Sequence, residues 1–268
     1  MNNSQPTLIG LPYDASSSYH RGPARAPAMI REALHCESTN FWSEAGRDLS
    51  QLADCGDLTL PANDEARDLI ERAIRGVLEL GQVPIALGGD HSVTYPILRA
   101  IGPHHPNLTI LHFDAHSDLY QDFAGDRFSH ACPFARIMED GLAKRLVQVG
   151  IRTLSAHQRS QAERFGVEVI DMRAWAAGER PKLQGPLYVS IDMDAFDPAF
   201  APGVSHCEPG GLTSREVITL LQSLPGALVG ADVVEFNPSH DSLGITAPLC
   251  AKLVKELASR MLDTTEFV

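Results

Sequence analysis

Basic residues are in short supply in this sequence. Its 268 positions hold 22 Lys and Arg against 34 Asp and Glu, a formal net charge of −12. That balance disfavours nucleic acid and anionic membrane surfaces as partners, since both need basic stripes, and it favours a cationic small ligand. The five cysteines (Cys36, Cys55, Cys132, Cys207, Cys250) are odd in number and show no Cys-x-x-Cys spacing. They read as reduced thiols rather than a disulfide framework. No window approaches the ~18 apolar residues of a membrane span. The start, MNNSQPTLIG, lacks the charged n-region and long apolar stretch of a secretory signal, so a cytoplasmic location is expected. Internal repeats, low-complexity tracts and Ser/Gly-rich linkers are also missing, and residues 1–268 are expected to form one domain.

What is present is a rhythm of short apolar runs: TLIG at 7, PIALG at 84, LTILHF at 108, RLVQVGI at 145, VEVID at 167, PLYVSID at 186 and ALVGADVVEF at 227. Each is rich in β-branched residues and of strand length. Helical patterns lie between several of them, beginning at Asp64, Ser129, Thr213 and Ala247. Such βαβ alternation, with strands that show little polar alternation, implies a sheet covered on both faces and hence a three-layer α/β/α domain.

Three of the strand candidates end in polar clusters: GGDHS at 88–92, DAHSD at 114–118 and SIDMDAFDP at 190–198. A fourth, VVEFNP, ends with Glu235. In parallel sheets the ligand crevice lies beyond the carboxyl ends of the strands, so these residues can meet in space. Along an extended chain Asp114, His116 and Asp118 share a side, as do Asp192 and Asp194. Four carboxylates on one crevice repel one another unless cations compensate. Two divalent ions neutralise Asp114, Asp118, Asp192 and Asp194, with His91 and His116 as neutral nitrogen ligands. A carboxylate-rich set with few imidazoles suits Mn²⁺ better than Zn²⁺, nickel, cobalt and iron being the other candidates. Paired metals activate water, so the chemistry expected is hydrolysis. Asp90 and Asp197 read more simply as turn formers or caps. DAHSD is no EF-hand, because Leu119 stands where the sixth-position glycine belongs.

With these motifs in their order and separations, the sequence resembles the ureohydrolases, the arginase and agmatinase family, over nearly its whole length. The resemblance implies a single α/β/α domain with a mostly parallel eight-stranded sheet, assembled as a homo-trimer or homo-hexamer. It implies one manganese held by His91, Asp114, Asp118 and Asp192 and another by His116, Asp114, Asp192 and Asp194, with Asp114 and Asp192 bridging. His130, in FSHACPFARI, matches the family's catalytic histidine, although Ser129 could equally cap a helix beside it. Many members place glycine after that histidine, whereas Ala131 and Cys132 follow here. Glu235 matches the acid that holds the guanidinium group, and Asp118 would orient the nucleophile. The implied reaction converts L-arginine to urea and L-ornithine, with agmatine or another guanidino compound as the alternative substrate.

The substrate's tail is less legible. The Asn and Ser pair with which animal-type arginases grip the α-carboxylate is absent from LYQDFAGDRFS, and their acid for the amino group is absent from TLSAHQR. The stretches DLYQDFAGDRFSHACPFARI and DPAFAPGVSHCEPGGLTSRE look like the plant-type arginases. Arg127 is the expected receptor of the carboxylate, with Asp122 or Asp126 for the amino group, against the plainer reading of an exposed charged loop. The SYHRGPARAP segment at 18–27 resembles a loop near the mouth and receives no residue role. A single-zinc deacetylase of related fold would not need the second ligand set, and a purely binding protein would not need His130 and Glu235.

Overall fold

The apolar runs become strands because each is buried from both sides at once. The computed structural model describes residues 5–263, so the ends of the expected 1–268 domain, including MNNS, lie outside the described residues. Its strands are β1 (Pro6–Gly10), β2 (Ala53–Asp57), β3 (Val83–Leu87), β4 (Thr109–Phe113), β5 (Arg145–Ile151), β6 (Glu168–Asp171), β7 (Leu187–Asp192) and β8 (Leu228–Val234). The helices are α1 (Ala26–Leu34), α2 (Glu65–Glu79), α3 (Thr94–Ile101), α4 (Pro133–Glu139), α5 (Ala156–Phe165), α6 (Met172–Ala176), α7 (Ser214–Gln222) and α8 (Thr246–Asp263). All strands join one eight-stranded sheet in the order β2-β1-β3-β8-β7-β4-β5-β6. Every pairing in it is parallel, where the sequence implied a mostly parallel sheet.

Neighbouring residues on one strand feed opposite cores. Leu8, Ile85, Leu111, Val147 and Val189 pack into one apolar cluster, while Ile9, Ala86, Ile110, Leu146 and Tyr188 pack into the other. That is the side-chain period of a strand sandwiched between two helical layers.

Two features depart from the expectation. β2 carries no apolar run, because ADCGD is a largely exposed edge strand whose polar residues need no partner layer. The helix expected from Ser129 begins only at Pro133, whose fixed φ suits a first helical position. Ser129 and His130 therefore lie in the approach to α4, with Cys132 rather than Ser129 at the cap.

The four central strands are consecutive neighbours, β3-β8-β7-β4. Because they run parallel, all four carboxyl ends open on one edge. This is how segments near residues 91, 114, 192 and 235 come within side-chain reach.

Candidate metal centre and its cavity

Glycine sets the first wall. A Cβ on Gly89 would sit 1.7 Å from the carbonyl oxygen of Tyr13, and one on Gly88 would sit 2.4 Å from Val234 Cγ1. Only a bare backbone lets the segment after β1 cross the end of β3 here. Asp90 then caps the turn at 91–93 through Ser92 N (3.1 Å) and ties down Ser16 N (3.0 Å) and Ser17 Oγ (3.3 Å). Buried and close to Glu235, its carboxyl is pushed up to about 6. At the end of β7, Asp192 Oδ1 accepts from Asp194 N at 2.8 Å, which folds the turn that brings both carboxylates forward. Arg152 secures the same turn from behind, donating to Asp194 O at 2.6 Å. Two site residues occupy left-handed backbone despite having side chains, Asp118 at φ 49 and Glu235 at φ 61. Strain of this kind persists where surrounding structure holds a functional group in place.

These turns bring His91, Asp114, His116, Asp118, Asp192 and Asp194 together. His91 Nδ1 lies 3.1 Å from Asp118 Oδ2, 3.1 Å from Asp192 Oδ2 and 3.3 Å from Asp114 Oδ2. On the other side, His116 Nδ1 lies 3.1 Å from Asp194 Oδ2 and 3.4 Å from Asp114 Oδ1. Asp114 thus divides its two oxygens between the imidazoles. Ligand atoms of His91, Asp114, Asp118 and Asp192 lie within 4.8 Å of one another, as do those of Asp114, His116 and Asp194.

A row of polar residues runs across the sheet just beneath this cluster. Gln148, His112, Ser190 and Asp232 are register partners on β5, β4, β7 and β8. Asp232 accepts from Thr94 Oγ1 (2.9 Å), Tyr188 Oη (2.6 Å) and Ser190 Oγ (2.6 Å). Since Ser190 donates its only proton to Asp232, its oxygen must accept from His91 Nε2, 3.0 Å away. The proton of neutral His91 is thereby placed on Nε2, and the bare Nδ1 faces three carboxylates. Likewise Gln148 Nε2 donates to His112 Nδ1 (3.0 Å), so His112 donates from Nε2 to Asp114 Oδ2 (2.8 Å). Lone pair against carboxylates is a repulsive arrangement unless a cation stands between them, and the donor set is one for divalent ions.

Burial opposes charge on His91 and His116, yet the facing carboxylates outweigh it and hold both imidazoles above the usual histidine range, so a proton occupies the gap unless a metal ion replaces it. Burial and the neighbouring Asp194 and Asp114 hold the Asp192 carboxyl well above the usual range. Burial raises Asp194 as well. For Asp114 burial acts in the same direction but is outweighed by His112, His116 and His91, which hold it low.

Four members of the cluster, His116, Asp118, Asp192 and Asp194, line the floor of a cavity of about 420 Å³. Glu235 lines it, and its Oε1 accepts from His91 N (2.8 Å) and lies 2.8 Å from His130 Nδ1. Oε2 has no partner among the described residues. The His130 ring also meets Ser18 Oγ through Nε2 at 2.7 Å. Burial opposes charge on that ring, but Glu235 prevails and its pKa is pushed up to about 9. Cys132 is buried and its thiol is pushed up to about 12, so it offers no thiolate.

Arg127 is not brought into the cavity. Its guanidinium is more than half exposed and pairs with Glu139 at 3.0 Å. Asp122 and Asp126 accept from Gly125 N (3.3 Å) and Phe128 N (2.8 Å), holding the turns of the 119–129 loop. The expected carboxylate and amino receptors are thus spent on loop structure. Tyr120 and Phe123 are that loop's contribution to the lining. Residues that motif reading passes over do line the cavity: Ser18 from the 18–27 segment, His206, Ser155 and Gln158. His206 stands with its ring centroid 5.8 Å from that of His116 and 5.4 Å from that of His130.

Against known proteins, the model of the arginase family matches residues 4–259. The chain is 45% identical over 280 residues to "Arginase 1, mitochondrial" of Arabidopsis thaliana, covering 95% of this chain and 80% of that protein. It is 33% identical over 263 residues to an agmatinase of Bacillus anthracis, covering 95% and 91%. Among solved structures, the arginase from Medicago truncatula superposes with a TM-score of 0.92 at 44% identity, covering 97% of this chain and 88% of that one. The Arabidopsis protein is named as mitochondrial, and that overturns the expectation of a cytoplasmic location. No helix among the described residues is long and apolar enough to cross a membrane.

Proposed function

The chain belongs to the arginase family, and from that premise we infer that it hydrolyses the guanidinium group of L-arginine to urea and L-ornithine. The observation that carries this reading is that the buried carboxylate and imidazole cluster opens on the same cavity as Glu235 and His130. The enzyme is a hydrolase of guanidino carbon–nitrogen bonds. The reading also takes residues 1–268 as one domain and the assembly as a homo-trimer or homo-hexamer, which sedimentation would measure.

His91, Asp114, Asp118 and Asp192 would hold one Mn²⁺, and His116, Asp114, Asp192 and Asp194 a second. Bound there, the pair would supply Lewis-acid charge and water of lowered pKa. The chain's own groups do the rest. Glu235 presents the unpartnered Oε2 to the guanidinium, a charge-assisted contact that orients the planar group over the floor. Asp118, held in its strained conformation, orients the attacking water. His130, protonated at neutral pH by its contact with Glu235, delivers a proton to the departing nitrogen, and Ser18 fixes the ring from its other side. Guanidinium is resonance-stabilised and a poor electrophile, so positioning and electrostatic stabilisation must lower most of the barrier.

The test is urea release by manganese-loaded protein from L-arginine, agmatine, 4-guanidinobutyrate, 3-guanidinopropionate and guanidinoacetate. L-arginine is expected to give the highest kcat/KM. Fastest turnover of agmatine would make the enzyme an agmatinase. No urea from any of them at full metal loading would end the reading.

A further inference from the structure

We propose that the amino end of α5, through Gln158 and Ser155, receives the substrate's carboxylate, so that the enzyme selects guanidino acids over agmatine. The proposal rests on the urea-forming reading of the floor and concerns the opposite end of the substrate.

The walls of the cavity are unequal in chemistry. Its lining carboxylates are Asp118, Asp192, Asp194 and Glu235, all at the floor, and no lysine or arginine lines it. The outer wall is instead built by Thr153, Leu154, Ser155 and Gln158 at the start of α5. A helix of ten residues places positive partial charge at this end.

Gln158 makes that end a built site. The residue is only 4% exposed, yet just half of its amide is used. Its Oε1 accepts from Ser155 N at 3.0 Å in the capping box, and Ser155 Oγ accepts from Gln158 N at 3.2 Å. Those bonds fix the side chain in place. Its Nε2 donates to nothing among the described residues, although the residue is buried and lines the cavity. The Ser155 hydroxyl proton likewise has no acceptor there. Two donors without acceptors at the positive end of a helix form a receptor for an anion. An ammonium needs acceptors, which this wall lacks in charged form. L-arginine ends in a carboxylate beside an ammonium and 4-guanidinobutyrate in a carboxylate alone, whereas agmatine ends in an ammonium with no carboxylate.

The experiment compares kcat/KM for L-arginine, 4-guanidinobutyrate and agmatine in wild type and Gln158→Glu. The glutamate keeps an oxygen for Ser155 N and replaces the donor with negative charge. Loss of a charge-assisted hydrogen bond plus repulsion should raise KM for both guanidino acids on the order of 10- to 100-fold, with a smaller change in kcat. The kcat/KM ratio of agmatine to arginine should rise by a comparable factor. Calorimetric binding of L-ornithine and putrescine gives a readout independent of turnover. Wild type should bind L-ornithine more tightly, and Gln158→Glu should reverse the order. Wild type that binds putrescine at least as tightly, or a variant whose ratios do not move, overturns the proposal. Absence of urea from every guanidine, with the L-ornithine preference intact and reversed by the variant, would sink the reaction and leave the carboxylate subsite standing.

Discussion

His91 Nε2 lies 3.0 Å from Ser190 Oγ, and that single contact decides which nitrogen of a buried imidazole is available to a cation. Because Ser190 passes its own proton to Asp232, replacing either residue frees the ring to turn or to exchange tautomers. Ser190→Ala and Asp232→Asn are each expected to weaken manganese affinity on the order of 10- to 100-fold. Metal content after dialysis against graded free manganese measures this. Wild-type retention in both variants would remove the row from the metal's support.

Asp114 and His130 should separate metal loss from slow chemistry. Asp114→Asn takes charge from the carboxylate that faces both imidazoles, so metal and turnover should disappear together. His130→Asn leaves the cluster untouched and should keep its metals while losing 10²- to 10⁴-fold in kcat, the usual range for a removed acid–base group. Elemental analysis beside urea release distinguishes the two. Equal metal content and equal activity would contradict both roles.

The pairing of His130 with Glu235 carries a pH signature. The ring's pKa is raised to about 9, so the stability it contributes is complete below the ordinary histidine value near 6.5 and lost as pH rises through about 9. In Glu235→Gln the ring loses the partner that outweighs burial and should titrate lower. Histidine ring resonances in the metal-free protein would show the change. An unmoved His130 titration would mean that the contact does not hold the proton.

Away from the site, α7 is started by a reciprocal cap. Thr213 Oγ1 accepts from Glu216 N at 3.2 Å, and Glu216 accepts from Thr213 N at 2.8 Å and from Trp175 Nε1 at 2.8 Å. Burial would raise the Glu216 carboxyl, but these donors hold it low. Its contribution is therefore present above the unfolded value of about 4.3 and lost as pH falls below it. Thr213→Ala should cost about 1 kcal/mol. Glu216→Gln should flatten the fall in melting temperature below about pH 4, and parallel curves would discount the cap.

Gly89→Ala tests the glycine pair in GGDHS. Its Cβ would meet the Tyr13 backbone, which cannot rotate away as a side chain would, so the cost should reach about 1–3 kcal/mol with Ser18 displaced from His130. Thermal melting and kcat together measure it. A variant as stable and active as wild type would show that the crossing of β1's loop over β3 is not tight.

The polar clusters at the strand ends were conspicuous because several charges interrupt apolar runs at once, and a core tolerates that only for a reason. The supporting row was fainter. His112, Ser190, Asp232 and Gln148 each appear as one polar residue inside a strand. Their signal was that four strands share the feature, and only register shows that they form a line. β2 was invisible, since an exposed edge strand needs no apolar pattern. Ser155 and Gln158 do spell a capping box at the spacing Ser-x-x-Gln, but that pattern says nothing of the cavity beside it. Arg127 misled for the opposite reason: a charge near a motif satisfies itself locally with Glu139 when the loop folds.

The line of four register partners beneath the floor separates two kinds of change. The carboxylates and imidazoles of the cluster sit at the ends of paired strands or on the turns that follow them, and the row beneath lies within those strands, where a slip of one position would invert every side chain. The outer wall hangs on a helix cap and loops, which tolerate replacement. A lineage starting from this architecture could exchange one guanidine for another by editing the rim, while the reaction itself stays locked to the sheet.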